Sequence, residues 1–294
     1  MEPRHYPVMS NEIIDLLRDL PPGWVIDCTV GLGGHARRVL EELPQLRVIG
    51  MDMDGESLME ANRRLAGWKD RVVLMQANYT TSLDLPEIRN RQVRGVLVDP
   101  GISTMQLQDA VRGFSHNLEG PLDMRKDRES AITAADVVNT WREDRLAAVF
   151  REYGEVRRSG ELAKRIIETR LFAPIRTTGQ LKSVVEKVFG SRVPRGVVHP
   201  AARVFQALRI CVNRELDGVE AFLMRLPEII EAGGRILMLS FHSLEDRLVK
   251  QTMRRLQADG KVTCLRPFPM FPGEDEIREN PPSHSARLRV AEVA

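Results

Sequence analysis

Val25-Ile26-Asp27-Cys28-Thr29-Val30-Gly31-Leu32-Gly33-Gly34-His35 is the stretch on which the reading of the chain turns. A β-branched, apolar run breaks at Thr29 into a cluster of glycines, and a helix-compatible segment from Ala36 to Leu43 follows. This is a strand, a glycine turn and the start of a helix. Glycine adopts positive φ without strain and lets a ligand approach the backbone, while the helix N-terminus offers unpaired N–H donors. Gly31-x-Gly33-x-x-Ala36 fits the dinucleotide pattern G-x-G-x-x-G/A, and Asp52 closes the next apolar run, Arg47 to Met51, where an acid is placed to meet a ribose. The spacing points to an adenosine-bearing ligand.

On either side the same alternation continues. Before the stretch, His5-Tyr6-Pro7 is an extended step that passes into a helix to about residue 19, with Ser10 or Asn11 as N-cap. After it, the pattern predicts helix over 34–42, strand over 47–52, helix over 55–66 and strand over 72–77. A helical or irregular piece at 83–89 precedes a fourth strand at 95–99. Near-continuous apolar strands separated by helices imply a doubly wound, mostly parallel, Rossmann-like α/β sheet covered on both faces. Beyond Asp99 more than a hundred residues carry helical patterns only, so an all-helical insertion is expected. Leu146, Val149, Phe150 and Tyr153, and then Leu162, Ile166 and Ile167, fall at helical spacing and read as core. Helix is predicted again from Ala201 to about Ile230, stopped by Ala232-Gly233-Gly234. A fifth strand at 235–241, a helix at 244–256, a short strand at 262–265 and a final antiparallel edge strand at 286–293 complete the expectation. The predicted organisation is a discontinuous catalytic domain, 1–108 with 213–294, interrupted by a substrate-recognition domain at 109–212.

The 294 residues suffice for a large domain or two smaller ones, and the charged and hydrophobic fractions, 29% and 43%, are those of a soluble globular chain rather than a disordered one. No apolar run approaches the roughly 20 residues of a membrane span, and the N-terminus lacks a signal-peptide core. A cytoplasmic protein is expected. Cys28, Cys211 and Cys264 are far apart and form no C-x-x-C pair, so they read as reduced structural thiols. No group of His, Cys, Asp and Glu shows metal-ligand spacing, and no metal is expected. The net charge of +2 is unevenly placed: residues 112–214 hold 20 Lys+Arg against 12 Asp+Glu, a balance of +8, which leaves −6 for the remainder. A basic module therefore sits in an acidic frame, either as a solvated helical surface or as a polyanion contact.

Asp99-Pro100-Gly101-Ile102-Ser103-Thr104 follows the fourth strand, at the sheet edge where ligands of open α/β folds bind. A carboxylate followed by proline offers an amine both a side-chain acceptor and an exposed carbonyl. His242, after the fifth strand, lies on the same edge and is a third candidate for work on an N–H group. The catalytic candidates are thus Asp99, Pro100 and His242.

Several blocks carry a resemblance that covers nearly the whole chain: His5-Tyr-Pro-Val, Gly31-x-Gly-Gly-His35, Gln106-Leu-Gln-Asp-Ala-Val-Arg-Gly-Phe114-Ser, Gly120-Pro-Leu-Asp-Met-Arg125, His199-Pro-Ala-Ala-Arg-Val-Phe-Gln-Ala-Leu-Arg209, Ser240-Phe-His-Ser-Leu-Glu-Asp-Arg247 and the terminal Asn280-Pro-Pro-Ser-His-Ser-Ala-Arg-Leu-Arg-Val-Ala-Glu. In this order they resemble the ribosomal RNA small subunit methyltransferase H family. The resemblance implies methyl transfer from S-adenosylmethionine to N4 of a cytidine in the decoding region of small-subunit rRNA. It also implies that Gly33, Gly34 and His35 contact the donor, that Asp52 holds its ribose, that Tyr79 and Asp99 flank the adenine, and that Gln106 closes the site. Asp99 therefore has two readings, donor contact or target amine. The chain departs from the family pattern at Pro100, where leucine is usual, at Thr104 for serine, and at Leu32, where arginine is common.

A sulfonium methyl needs mainly alignment with its acceptor, and an acceptor of the N4–H bond would help the poorly nucleophilic amine. The base must leave any stack, which calls for backbone contacts and stacking groups. Arg112, Arg125, Arg157, Arg158, Lys164, Arg165, Arg203 and Arg209 are candidates for phosphate, and Phe114 and Trp141 for stacking. The expected partner is small-subunit rRNA in an assembled or nearly assembled subunit, with a homodimer as a further option. Rival functions are a non-catalytic ribosome-assembly protein and a nicotinamide-dependent dehydrogenase; the first has no need of a donor pocket, and the second lacks a hydride-transfer pattern here.

Overall fold

A computed structural model of the chain describes residues 7–192 and 198–294. His5 and Tyr6, part of the expected N-terminal extended step, lie outside them. The chain divides into two compact units, Met1–Gly101 with Asp217–Ala294, and Ile102–Leu216.

The first unit opens with α1 (Ser10–Arg18), then β1 (Gly23–Asp27), α2 (Gly34–Glu42), β2 (Leu46–Asp52), α3 (Gly55–Arg64), β3 (Val72–Gln76), the short α4 (Pro86–Arg89) and β4 (Val93–Val98). Local chemistry sets these boundaries. The Asp54 carboxylate accepts from the Glu56 amide and starts α3, and Pro86 occupies the first turn of α4, where its missing N–H costs nothing.

The second unit is helical: α5 (Thr104–Gln108), α6 (Ala134–Thr140), α7 (Glu143–Gly154), α8 (Ser159–Phe172), α9 (Thr178–Phe189) and α10 (Pro200–Asn213). Reciprocal capping boxes start α5, α6 and α9, through Ser103 with Gln106, Thr133 with Asp136, and Thr177 with Gln180. Leu146, Val149, Phe150, Leu162 and Ile166 lie in its core, with Ile167 and Tyr153 packed at the margin.

The chain then re-enters the first unit with α11 (Val219–Arg225), β5 (Ile230–Ser240), α12 (Ser243–Ala258), β6 (Val262–Cys264), α13 (Glu274–Glu279) and β7 (Arg287–Val293). The helix expected from Ala201 to Ile230 is interrupted: Arg214 turns left-handed at the end of α10, and Gly218, at φ 75°, starts α11. Ala232-Gly233-Gly234 does not end a helix either. It lies inside β5, where the pairing passes from Val93 opposite Ile230 to Gly95 opposite Arg235. The glycine pair marks a bulge, because a strand tolerates the extra residues only where no side chain must be packed.

The seven strands run in the order β3-β2-β1-β4-β5-β7-β6. β1 to β5 are parallel, and β7 runs antiparallel to both β5 and β6. The last strand is therefore not the edge; β6 is. Its alternation arises because both faces are covered, with Leu288 and Val290 in one core and Ala291 and Val293 in the other. The same two-residue period operates across the sheet. Ile26, Ile49, Val96 and Ile236 point towards α11 and α12, and Val25, Val48, Leu97 and Leu237 towards α1 and α2. Truncating a fully buried central residue such as Ile26 to alanine costs about 2–5 kcal/mol. This packing fixes the carboxyl ends of β1, β2 and β4, and with them the carboxylates of the next section.

Candidate active site

Each of the three strands brings an acid to the same edge. Asp27 is the last residue of β1, Asp52 the last of β2, and Asp99 follows β4. Between β1 and α2 the turn takes Gly31 to φ 50° and Gly33 to φ 83°, conformations that favour glycine. A β-carbon on Gly33 would also meet the Leu65 side chain at 3.3 Å. Gly33 is the N-cap of α2 and contributes no side-chain cap, so the first amides of that helix are available to a ligand.

Asp52 locks the turn to β2 and also braces the start of α3. The Gly31 amide donates to Asp52 Oδ2 at 2.9 Å, and the Asp54 amide to Asp52 Oδ1 at 2.9 Å. The Asp52 side chain is partly exposed at this edge. On the other side the Asp99 amide donates to Thr29 Oγ1 at 2.7 Å, and the Thr29 amide to Asp27 Oδ1 at 3.3 Å. The Asp99 carboxylate lies 3.4 Å from His35 Nε2, through Oδ2, and is 23% exposed against 7% for the imidazole.

Asp27 is the acid that motif reading overlooked. It is 2% exposed, and burial pushes its carboxyl up to about 7; the nearby His35 and the Thr29 amide oppose that rise, while Asp99 and Asp52 add to it. The signal was present in the sequence, as an acid at the end of an otherwise apolar strand. Thr29, where the apolar run breaks, ties the turn to the end of β4 through its hydroxyl, a role that no spacing rule assigns to it.

The remaining donor-site candidates divide between the units. Tyr79 stands after β3 and meets Phe222 edge-on at 4.8 Å, a contact that orients its ring. Gln106 belongs to the helical unit, where its side chain accepts from the Ser103 amide at 2.9 Å and closes the α5 cap. Gly33, Gly34, His35, Asp52 and Asp99 are brought together at one edge of the sheet. The uncapped α2 amides, the glycine cradle and the Asp52 carboxylate fit an adenosine-bearing donor.

His242 follows β5, and its ring is bound up with the start of α12. Its Nδ1 accepts from the Glu245 amide at 3.4 Å, its Nε2 lies 3.0 Å from Glu245 Oε1, and Glu245 Oε2 in turn accepts from the Phe241 amide at 3.0 Å. Both ring nitrogens thus face Glu245 at the start of α12, and the imidazole serves as a helix cap. Asp246, one residue on, pairs with Arg289 at 2.8 Å and Arg287 at 2.9 Å, which anchors that helix start to β7.

In the helical unit the basic candidates separate by partner. Arg112 is 3% exposed and donates to the carbonyls of Arg125 and Lys126 at 3.1 and 2.9 Å. Phe114 is core. Arg125 grips Asp123 with Nε and Nη2 and also donates to the carbonyls of Arg128 and Ser130. Arg209 pairs with Glu215 at 3.1 Å, and Arg158 is held by Glu161 and the Val188 carbonyl. Arg112, Phe114, Arg125 and Arg209 are taken up inside the unit, which removes them from the phosphate and stacking roles expected of them, while Arg158 stays half exposed at its surface. Arg157, Lys164, Arg165 and Arg203 are exposed; Arg165 has Glu168 at 3.2 Å, and Arg203 only a 3.4 Å bond to the Glu155 carbonyl. Trp141 is half-buried beneath the Arg145 guanidinium, 3.4 Å from its ring centre.

With this geometry in hand, the similarities to known proteins can be placed. Residues 2–294 match the MraW methylase family. The chain is 44% identical over 293 residues to the ribosomal RNA small subunit methyltransferase H of Thermotoga neapolitana, covering 98% of this chain and 96% of that one. It is 41% identical to the protein of the same name from Pseudothermotoga lettingae, covering 99% of each, and 40% identical to that of Synechococcus elongatus, covering 98% and 94%.

Proposed function

We infer the function from one premise: this chain belongs to the MraW methylase family. It is an S-adenosylmethionine-dependent methyltransferase, and its target is the N4 amine of a cytidine in the decoding region of small-subunit rRNA. The observation that carries this reading is the fixed carboxylate edge, in which Asp52 is locked to the glycine turn and Asp99 to Thr29 on the other side of the same turn.

When bound, S-adenosylmethionine supplies a methyl group already activated by its sulfonium, so the protein's task is alignment. The amides at the start of α2 and the Gly33 cradle hold the donor, Asp52 accepts from its ribose hydroxyls, and Tyr79 borders its adenine. Asp99 takes the N4–H of the target cytidine. Its carboxylate would accept that hydrogen bond, favour localisation of the nitrogen lone pair, and receive the proton lost by nitrogen as the methyl's bond to sulfur, whose electron pair stays on a neutral thioether, is exchanged for one to nitrogen. Pro100 fixes the turn after Asp99 and leaves its own carbonyl as a second acceptor. His242 acts by capping α12.

The cytidine must be unstacked to reach a carboxylate at a sheet edge, which demands a separate grip on the backbone. Arg157, Lys164, Arg165 and Arg203 supply it, with Trp141 as a stacking surface. Among the described residues no helix is long and apolar enough to cross a membrane. The substrate of this reading is the assembled small subunit in the cytoplasm, whose folded rRNA presents the base in a fixed setting. Labelled methyl transfer to small subunits lacking the modification, with naked rRNA in parallel and nucleoside analysis of both, tests it. N4-methylcytidine on subunits is the expected product. Binding of the donor with no transfer to either substrate would overturn the reading.

A further inference from the structure

His35 stands where a donor contact is expected, yet its imidazole is buried and turned towards Asp99. The ring is 7% exposed, and Nε2 is buried with no aligned hydrogen-bond partner among the described residues. The nearest carboxylate is Asp99, with Oδ2 at 3.4 Å. Among the described residues the charged groups near the ring are acids: Asp27 from β1, Asp99 from the end of β4, and Glu276 from α13. Two of these acids are already occupied. Asp27 accepts from the Thr29 amide, and Glu276 Oε1 from the Met9 amide at 2.7 Å. Asp99 is tied to Thr29 through its amide, and its carboxylate is the group that the imidazole can orient.

We propose that His35 is a positioning residue for Asp99: the Nε2–H of its imidazole turns and holds the Asp99 carboxylate so that the other oxygen faces the target amine, while the donor contact at this position is made by the main chain. This rests on the reading of Asp99 given above. Catalytic hydrogen bonds are often long or misaligned in an empty site and tighten when substrate arrives, which is how a 3.4 Å approach serves. The arrangement gives Asp99 two fixed points, one on its amide and one on its carboxylate, supplied by residues on opposite sides of the glycine turn.

The test compares His35→Gln, His35→Asn and His35→Ala in the full-length chain. It measures single-turnover methyl transfer to unmodified small subunits and, separately, S-adenosylmethionine affinity by calorimetry. A glutamine amide reaches the place of Nε2, whereas an asparagine amide reaches only that of Nδ1. His35→Ala and His35→Asn are expected to lower the transfer rate about 10- to 100-fold with donor Kd changed less than about 3-fold, and His35→Gln to recover most of the rate. In an Asp99→Asn background, His35→Ala is expected to add less than about 3-fold, because the group it positions is gone. Donor affinity that falls in step with rate, equal rates for Gln and Asn, or full additivity with Asp99→Asn would overturn the proposal. If His35→Ala does not fold, the Gln and Asn pair still decides between the outcomes. Wild-type protein that forms no N4-methylcytidine would instead overturn the functional reading beneath it.

Discussion

In the sheet unit the charges at the carboxyl edge are few, acidic and held by backbone amides, so their positions follow from strand packing. Asp52 takes two amides and Asp27 one, while Asp99 is set through its own. In the helical unit charges are many, mainly basic, and split between two uses. Arg112, Arg125 and Arg209 bind carbonyls or carboxylates of their own unit, whereas Arg157, Lys164 and Arg203 face solvent. The contrast teaches that a functional carboxylate is identified by the element that ends at it. A functional arginine is identified only by the absence of an internal task.

The sharpest way to break this contrast is to remove an edge acid. Asp52→Ala strips the acceptor from both the Gly31 and Asp54 amides and, on the proposed reading, from the donor's ribose, and each lost charge-assisted bond contributes about 1.5–3 kcal/mol. S-adenosylmethionine affinity should fall at least about 100-fold by calorimetry. Unchanged affinity would show that the edge acid is structural only.

An inward arginine should behave in the opposite manner. Arg112→Ala leaves the partly buried carbonyls of Arg125 and Lys126 without this donor, and should cost about 2–3 kcal/mol in denaturant unfolding. Its effect on the salt dependence of RNA binding, measured on folded protein, should be negligible.

Asp27 sharpens the comparison through pH. Its folded-state value of about 7 lies above the usual carboxylate range, so between roughly pH 4 and 7 the native state binds a proton that the unfolded chain has lost. Native stability therefore falls as pH rises through that window and stays reduced above it. Asp27→Asn keeps the acceptor for Thr29 without the charge. It should stabilise the protein by about 1–4 kcal/mol at pH 8, with the gain vanishing near pH 4. Thermal unfolding across that range checks both size and sign.

The smallest effect belongs to an outward lysine. Lys164→Ala should leave stability within about 0.5 kcal/mol and lower the slope of log affinity for small-subunit rRNA against log salt by about 1. Parallel behaviour of Lys164→Ala and Arg112→Ala would erase the distinction between outward and inward charges.

The sheet was legible because its strands alternate between two buried faces and because helix starts carry side-chain signatures. Gly34–Glu42 and Leu46–Asp52 could be read almost residue by residue. The C-terminal strands were less so, since nothing in the local pattern of 287–293 says that the chain passes between β5 and β6 rather than outside them. Ala232-Gly233-Gly234 misled because a glycine pair is equally good at ending a helix and at bulging a strand. At the site, spacing points to Asp52 and Asp99, and an acid that ends an apolar strand points to Asp27, while the tie from Thr29 to Asp99 required three dimensions. Nothing in Arg112 or Phe114 as residue types distinguishes an RNA contact from a core tie, so burial had to decide.

One measurement reaches the central claim, that Asp99 is held at the edge to take the target amine. Asp99→Asn should be assayed for single-turnover transfer to unmodified small subunits and, on the same preparation, for S-adenosylmethionine affinity. The account predicts a rate about 10²- to 10⁴-fold lower with donor Kd changed less than about 10-fold. A donor affinity that collapses together with the rate would contradict it and make Asp99 a donor ligand instead.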